Sequence, residues 1–369
     1  MPVAVLPPLD PDRLPAGLGS RFLEGINGLR VHLLEAGEPG RPLVLLLHGF
    51  PEIAYSWRRV MPGLAAAGYH VVAPDARGYG RTTGSALGYD VELWEFGILN
   101  LVRDAASIVA ALGRSEVALV AGHDYGAGTA AACALVRPDI FRRLALMSAP
   151  FGGPPALLAS PAPDLAAELA ALDPPRKHYH WYYSTRHAAP DMEASPQGLH
   201  AFLRAYFHQK SADWSGNEPF PLKAWSAEEL AKLPGYYVMP LEATMPEAVA
   251  PFMPAEPPAW LTDAELALYA EEYGRTGFQG GLNWYRLRTG GQLARELSTF
   301  AGRTIDVPSC FYAGAADWGI YQKAGDFEAM QSRVCTDMRD VGLLPGTGHW
   351  IQQEQPDALL ERLLAFLRR

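Results

Sequence analysis

The sequence predicts an α/β protein, a mostly parallel central sheet flanked by helices and interrupted by a helical insertion. Three observations carry this reading. Short, continuously apolar runs at 42–47, 117–121 and 144–147 have the character of strands covered on both faces. Helical stretches alternate with them, the pattern of parallel strands joined by crossover helices. The alternation breaks between about residues 151 and 297, where Pro, Trp, Tyr and His accumulate, and then resumes.

Taken in order, residues 1–19 contain Pro2, Pro7, Pro8, Pro11 and Pro15. Proline fixes φ and removes a backbone donor, so this start is expected to lie on the surface as an arm. Residues 28–36 and 42–47 read as strands, 55–67 as a helix, 70–73 as a short buried strand and 96–112 as a helix. A buried strand at 117–121 and an Ala-rich helix at 127–135 follow, the helix stopped by Arg137-Pro138. The insertion begins after the strand 144–147, placed as the sixth, and mixes helices at 197–210 and 262–273 with Pro-rich loops. A strand at 308–313, a helix near 324–332, a loop at 342–348 and an amphipathic helix at 356–367 complete the chain. The expected division is an arm (1–20), a core domain (21–150 and 298–369) and a helical cap (151–297).

Composition narrows the function. With 369 residues, 49% of them apolar, the chain can bury a large core. Its net charge of -9 comes from interspersed acids and bases, with no basic run suited to nucleic acid or an anionic membrane. A small neutral organic substrate fits better. Cys133, Cys310 and Cys335 are widely spaced and odd in number, which suggests neither a disulfide framework nor a zinc ribbon. The start lacks a secretory pattern and no apolar stretch is long enough to span a bilayer, so a cytoplasmic protein is expected.

The sharpest local signal is Gly122-His123-Asp124-Tyr125-Gly126, set between a buried strand and a small-residue helix. A nucleophile raised on a tight strand-to-helix turn requires small residues two before and two after it, and both are glycine here. Alone, such a segment also suits a glycine turn with a helix-capping aspartate. The other motifs decide between these. His48-Gly49-Phe50-Pro51-Glu52 follows the strand at 42–47, with His48 read as a packing residue, and Asp75-Ala76-Arg77-Gly78-Tyr79-Gly80 has a scaffold character. Asp317, in Ala313-Gly314-Ala315-Ala316-Asp317-Trp318-Gly319, closes a late strand, and His349, in Gly346-Thr347-Gly348-His349-Trp350, precedes the last helix. A histidine that takes a proton from water needs a carboxylate on its other nitrogen, and Asp317 and His349 supply that pair.

With these motifs in place the chain resembles the aspartate-nucleophile branch of the α/β-hydrolase fold, and within it the epoxide hydrolase family, from about Arg21 to the end. The resemblance implies Asp124 as nucleophile, His349 as base, Asp317 as its partner, and the backbone N–H groups of Phe50 and Tyr125 as an oxyanion hole. It also implies two cap phenols that polarise the epoxide oxygen. Gly280-Gly281-Leu282-Asn283-Trp284-Tyr285-Arg286 is similar to the family's N-W-Y-R segment and selects Tyr285; His178-Tyr179-His180-Trp181-Tyr182-Tyr183 resembles its Y-Q-x-Y-F segment and selects Tyr179. Tyr182, Tyr183, Tyr236 and Tyr237 are candidates for packing and pocket lining.

His180, Trp181, Trp318 and Trp350 are candidate pocket residues. His180-Trp181 departs from the family pattern and is similar to the pair found in fluoroacetate dehalogenases. Those enzymes carry arginines after the nucleophile, where this chain has Tyr125 and Gly128, and haloalkane dehalogenases favour a tryptophan at the position of Tyr125. Halide abstraction is therefore the second reading, and a non-catalytic small-molecule receptor the third. His178 and His180 could form half of a metal site, but no third ligand sits at recognisable spacing. No cofactor and no metal is implied, the substrate is expected to be a small apolar epoxide, and the assembly a monomer or a homodimer.

Overall fold

Runs of Val, Leu and Ala form the middle of the sheet because helices exclude water from both faces. The computed structural model describes residues 6–157 and 164–369. Its strands are β1 (Leu18–Ile26), β2 (Leu29–Ala36), β3 (Leu43–Leu47), β4 (His70–Pro74), β5 (Leu119–His123), β6 (Leu144–Met147), β7 (Arg176–His178), β8 (Val238–Pro240), β9 (Ser309–Gly314) and β10 (Met338–Leu344). Eight of them form one sheet in the order β1-β2-β4-β3-β5-β6-β9-β10, and β7 pairs with β8 in the insertion. β1 and β2 are antiparallel, as are β2 and β4; from β4 onward every pairing is parallel. Every residue of β3, β4, β5, β6 and β9 is buried. Each Leu or Val buried in this way contributes about 1.5–3 kcal/mol.

Strand order positions the site. From β3 the chain turns to β4 on one side, then returns to place β5 on the other. The loops leaving the carboxyl ends of β3 and β5 therefore diverge and open a crevice between them. Helix Tyr125–Val136 packs on β5 and β6 and against helix Ile98–Ala111, while helix Met61–Ala66 lies on β2 and β4 and meets the final helix, Pro356–Leu367. The insertion follows the sixth strand, as expected. Its longest helices are Leu199–Lys210, Asp263–Thr276 and Gln279–Thr289. Among the described residues no helix is long and apolar enough to cross a membrane.

The structure differs from the sequence reading at several elements. β1 was not expected, although Asn27-Gly28, both at positive φ, supplies the two-residue hairpin turn that joins it to β2. Of the Pro-rich arm, residues 1–5 lie outside the described residues; Pro11–Arg13 forms a single 3-10 turn and the chain enters β1 by Leu18. The helix expected at 55–67 is a 3-10 turn, Ala54–Trp57, followed by helix Met61–Ala66, with Pro62 in its first turn. That proline begins a new helix because its missing N–H falls where no intrahelical partner exists. The loop expected at 342–348 starts only after Leu344, because β10 is an edge strand whose charged, partly exposed residues hide its period. The helix near 324–332 is Asp326–Ala329 running into a π-turn, Met330–Val334. The small β7–β8 sheet was also unforeseen.

Candidate active site

Asp124 leaves β5 at φ 53°, ψ -120°, and helix Tyr125–Val136 starts one residue later. A Cβ on Gly122 would lie 2.0 Å from the carbonyl oxygen of Gly126, so the turn closes only with glycine at this point. The strained turn lifts the Asp124 side chain into a cavity of about 70 Å³ between core and insertion. Phe50, in the loop after β3, donates its backbone N–H to Asp124 Oδ1 at 3.1 Å. Burial alone pushes the Asp124 carboxyl upward, but the imidazole of His349 close by, with Lys210 and His123 behind it, outweighs burial and holds the group below the usual carboxylate range.

His349 lies in the loop between β10 and helix Ile351–Glu354. Its Nδ1 is 3.0 Å from Asp317 Oδ1 and 2.7 Å from Ser148 Oγ, and Ser148 donates its own proton to Asp317 Oδ2 at 2.5 Å. Both neighbours of Nδ1 can therefore only accept. Nδ1 carries the proton, which leaves the Nε2 of a neutral ring with a lone pair. Nε2 faces Asp124 Oδ2 at 3.5 Å, too long for a good direct bond and close enough for one water to touch both.

The backbone around His349 is clamped from several directions. The His349 N–H donates to the Lys210 carbonyl at 2.9 Å. Glu354 accepts the N–H groups on either side of the histidine, from Gly348 at 2.8 Å and Trp350 at 2.9 Å, and that of Ala212 at 2.9 Å. The His349 carbonyl accepts a hydrogen bond from His123 Nε2 at 2.7 Å, and His123 Nδ1 lies 2.6 Å from Glu52 Oε2. Burial opposes charge on this last pair. Each partner's charge and hydrogen bond overcome it, raising His123 and lowering Glu52, so they form a buried imidazolium–carboxylate pair.

The opposite wall comes from the insertion. Gly280, at the start of helix Gln279–Thr289, has no room for a Cβ, which would lie 2.2 Å from the Gly78 carbonyl oxygen. This backbone approach and the bond from Trp284 Nε1 to the Arg77 carbonyl (3.1 Å) seat the helix on the Asp75–Gly80 turn. Tyr285, on the next position, lines the cavity with Asp124 and Tyr179; the two phenol rings are 5.9 Å apart. Tyr179 donates its hydroxyl to Gln322 Oε1 at 3.0 Å. Burial raises both phenols well above their usual range, so both keep their protons.

The family model described as alpha/beta hydrolase fold matches residues 42–217. Epoxide hydrolase A of Mycobacterium tuberculosis is 35% identical over 95% of this chain and 98% of its own. Among solved structures, an epoxide hydrolase from an endophytic Streptomyces superposes with a TM-score of 0.79 at 32% identity, covering 96% of each chain. Epoxide hydrolase A from Mycobacterium thermoresistibile gives 0.76 at 33% identity, covering 95% of this chain and 98% of that one. The chain belongs to the epoxide hydrolase family of the α/β-hydrolase fold.

In this epoxide hydrolase family member, Asp124, His349, Asp317 and Phe50 converge, with Tyr285 and Tyr179 on the facing wall. Among the described residues the Tyr125 N–H makes no hydrogen bond to the resting Asp124 carboxylate, and the Tyr125 hydroxyl donates to the Trp284 carbonyl at 3.0 Å. The expected pocket residues need correction. His180 lines the cavity, but Trp181, Trp318 and Trp350 do not. Trp350 is a core residue, its ring tilted against Phe207 with centroids 4.4 Å apart and its Nε1 donating to the Phe207 carbonyl at 2.8 Å. Trp318 is buried against Phe220, and Trp181 packs on His178. Tyr182, Tyr183, Tyr236 and Tyr237 are buried and line neither cavity. Among the described residues no three or more His, Cys, Asp or Glu are arranged so as to hold a metal ion. Sequence reading missed Ser148, Glu354 and Gln322, which carry no motif; the His123–Glu52 pair lay inside motifs already singled out.

Proposed function

We propose that this protein hydrolyses an epoxide to a vicinal diol in two steps, with residues 151–297 acting as a cap over the core formed by 21–150 and 298–369. The observation that carries the reading is the line Asp124–His349–Asp317 facing two protonated phenols across one cavity. Asp124 attacks an oxirane carbon, forming an ester bond as the carbon–oxygen bond breaks. Tyr285 donates a proton to the departing alkoxide oxygen; Tyr179 joins it when the epoxide oxygen replaces Gln322 as its acceptor. His349 Nε2 then takes a proton from water, whose oxygen attacks the Asp124 carboxyl carbon. The Phe50 N–H holds the resulting oxyanion. The diol leaves with the proton carried by His349, and the second proton of the water restores the phenol.

Halide abstraction finds less support, because the Tyr125 hydroxyl is engaged elsewhere and Trp181 lies off the cavity wall. The test is one turnover in heavy-oxygen water with enzyme in excess over a styrene-oxide-type substrate. Ordinary oxygen from Asp124 should appear in the diol, with label entering the protein. Label in the diol of the first turnover would overturn the ester mechanism, and halide release from a haloacetate without any diol would overturn the epoxide.

A further inference from the structure

The aromatic insertion suggests an apolar substrate, yet the cavity wall beyond the phenols is cationic. From Asp124 and Tyr125 a larger cleft of about 530 Å³ extends past Pro150 and Leu293 to Arg288, Lys323 and Arg333. The only acid on this wall besides the nucleophile, among the described residues, is Asp326, and it is already paired with Lys323 at 3.0 Å. A surplus of positive charge here runs against a chain whose net charge is -9. Arg288 and Lys323 also line the smaller cavity with Asp124, Tyr179 and Tyr285, and of the two only Lys323 has an acidic partner.

Arg288 and Tyr285 are three residues apart on helix Gln279–Thr289, so they share one face. At about 1.5 Å of rise per residue their Cα atoms are separated by roughly 5 Å along the axis. The neighbouring Arg286 is used to fasten the helix: it donates to the Tyr89 carbonyl and Asn283 Oδ1 and stacks 3.8 Å over the Tyr89 ring. Arg288 makes no ion pair or side-chain hydrogen bond among the described residues. Burial, with the Arg288 charge added to it, lowers His178 to about 3 and lowers His180 as well. Both histidines are therefore neutral; Lys323 and Asp326, which also line the inner cavity, are paired with each other, so Arg288 is the charge left without a partner on that wall among the described residues.

We propose that the natural substrate is an epoxide that also bears a carboxylate, held by the Arg288 guanidinium a few carbons away from the oxirane that the phenols grip. This rests on the epoxide-hydrolase reading above and names its substrate class. A guanidinium suits the task because it presents a planar fork matched to a carboxylate and stays charged at any working pH. Tyr125 and Gly128 stand where fluoroacetate dehalogenases carry their arginines; here the guanidinium reaches the cavity from the cap instead.

The experiment compares an epoxyalkanoate with its primary amide, identical apart from the terminal group, using the full chain and a neutral styrene-oxide-type control. In the wild type, kcat/KM for the carboxylate should exceed that for the amide by roughly tenfold, the size of one charge-assisted hydrogen bond, mainly through KM. Arg288→Gln should remove that preference and Arg288→Lys should keep part of it. Added salt should erode it in the wild type, because the guanidinium is exposed at the cleft. An amide turned over as well as the carboxylate, or a preference intact in Arg288→Gln, would overturn the inference. Turnover of the control alone would overturn this inference and spare the hydrolase reading, whereas silence with all three substrates would bring down both.

Discussion

The two walls of the cavity are built in different ways. On the sheet side, Asp124, Asp317 and His349 stand at strand ends or in a loop tied at several points: the Phe50 N–H on Asp124, Ser148 between His349 and Asp317, Glu354 on both sides of the histidine. On the insertion side each group has few ties. Tyr285 depends on how one helix sits on Gly78 and Arg77, Tyr179 spends its proton on Gln322, and Arg288 is fastened by nothing among the described residues. The sheet wall fixes atoms by backbone, where errors are small; the cap wall fixes them by side chains that can yield to a ligand. Damage to the first wall should therefore strike every substrate alike, and damage to the second should depend on which substrate is offered.

The largest effect belongs to His349→Gln. Loss of a general base costs about 10²–10⁴-fold, and in the proposed mechanism it falls on the second step. Alkylation should persist, so the ester should accumulate and appear as a mass gain on the intact protein. Steady-state turnover at the wild-type rate would break the comparison at its strongest point.

Tyr285→Phe should come next, slowing alkylation by about tenfold or more, since it removes a hydrogen bond to developing charge. Tyr179→Phe should cost less than Tyr285→Phe, because part of its hydrogen bond to substrate is offset by losing Gln322. Equal losses, measured as single-turnover alkylation rates, would show that the Gln322 contact has no weight. Smaller again are Ser148→Ala and Glu354→Gln, each expected to slow ester hydrolysis by roughly fivefold, the worth of about one hydrogen bond that orients the histidine or its loop. If either slowed alkylation as much as hydrolysis, its effect would be on the fold as a whole rather than on His349.

How much of this was legible in the sequence follows the same division. Asp124, Asp317 and His349 could be read because strand ends demand particular neighbours: no residue larger than glycine fits at Gly122. β3, β5 and β6 were legible because burial on both faces leaves uninterrupted apolar runs. β1 and β10 were not, since edge strands mix exposed and buried positions, and the Asn27-Gly28 turn was the missed signal for the first. Trp318 and Trp350 were misjudged because adjacency to a catalytic residue in sequence does not decide which way a side chain points; Trp350 turns into the core beside Phe207. Ser148 and Glu354 escaped because they act through distance in space, Ser148 bridging to residues about 170 and 200 positions away.

The smallest expected effect is none at all, and it separates the walls most cleanly. A phenol with its ordinary ionisation loses its proton near pH 10, to within about a unit. Burial, with the charge of Asp124 added, pushes Tyr179 and Tyr285 well above that, so the neutral, proton-donating form persists as pH rises. Asp124 is held below its usual range and is already ionised, so it gains nothing further on the alkaline side. Both partners in the first step thus keep their working protonation states, and the single-turnover alkylation rate should stay level from about pH 8 to about pH 10. A decline across that range with a midpoint below 10 would mean that water reaches the phenols freely, and that the cap does not close over them as this arrangement requires.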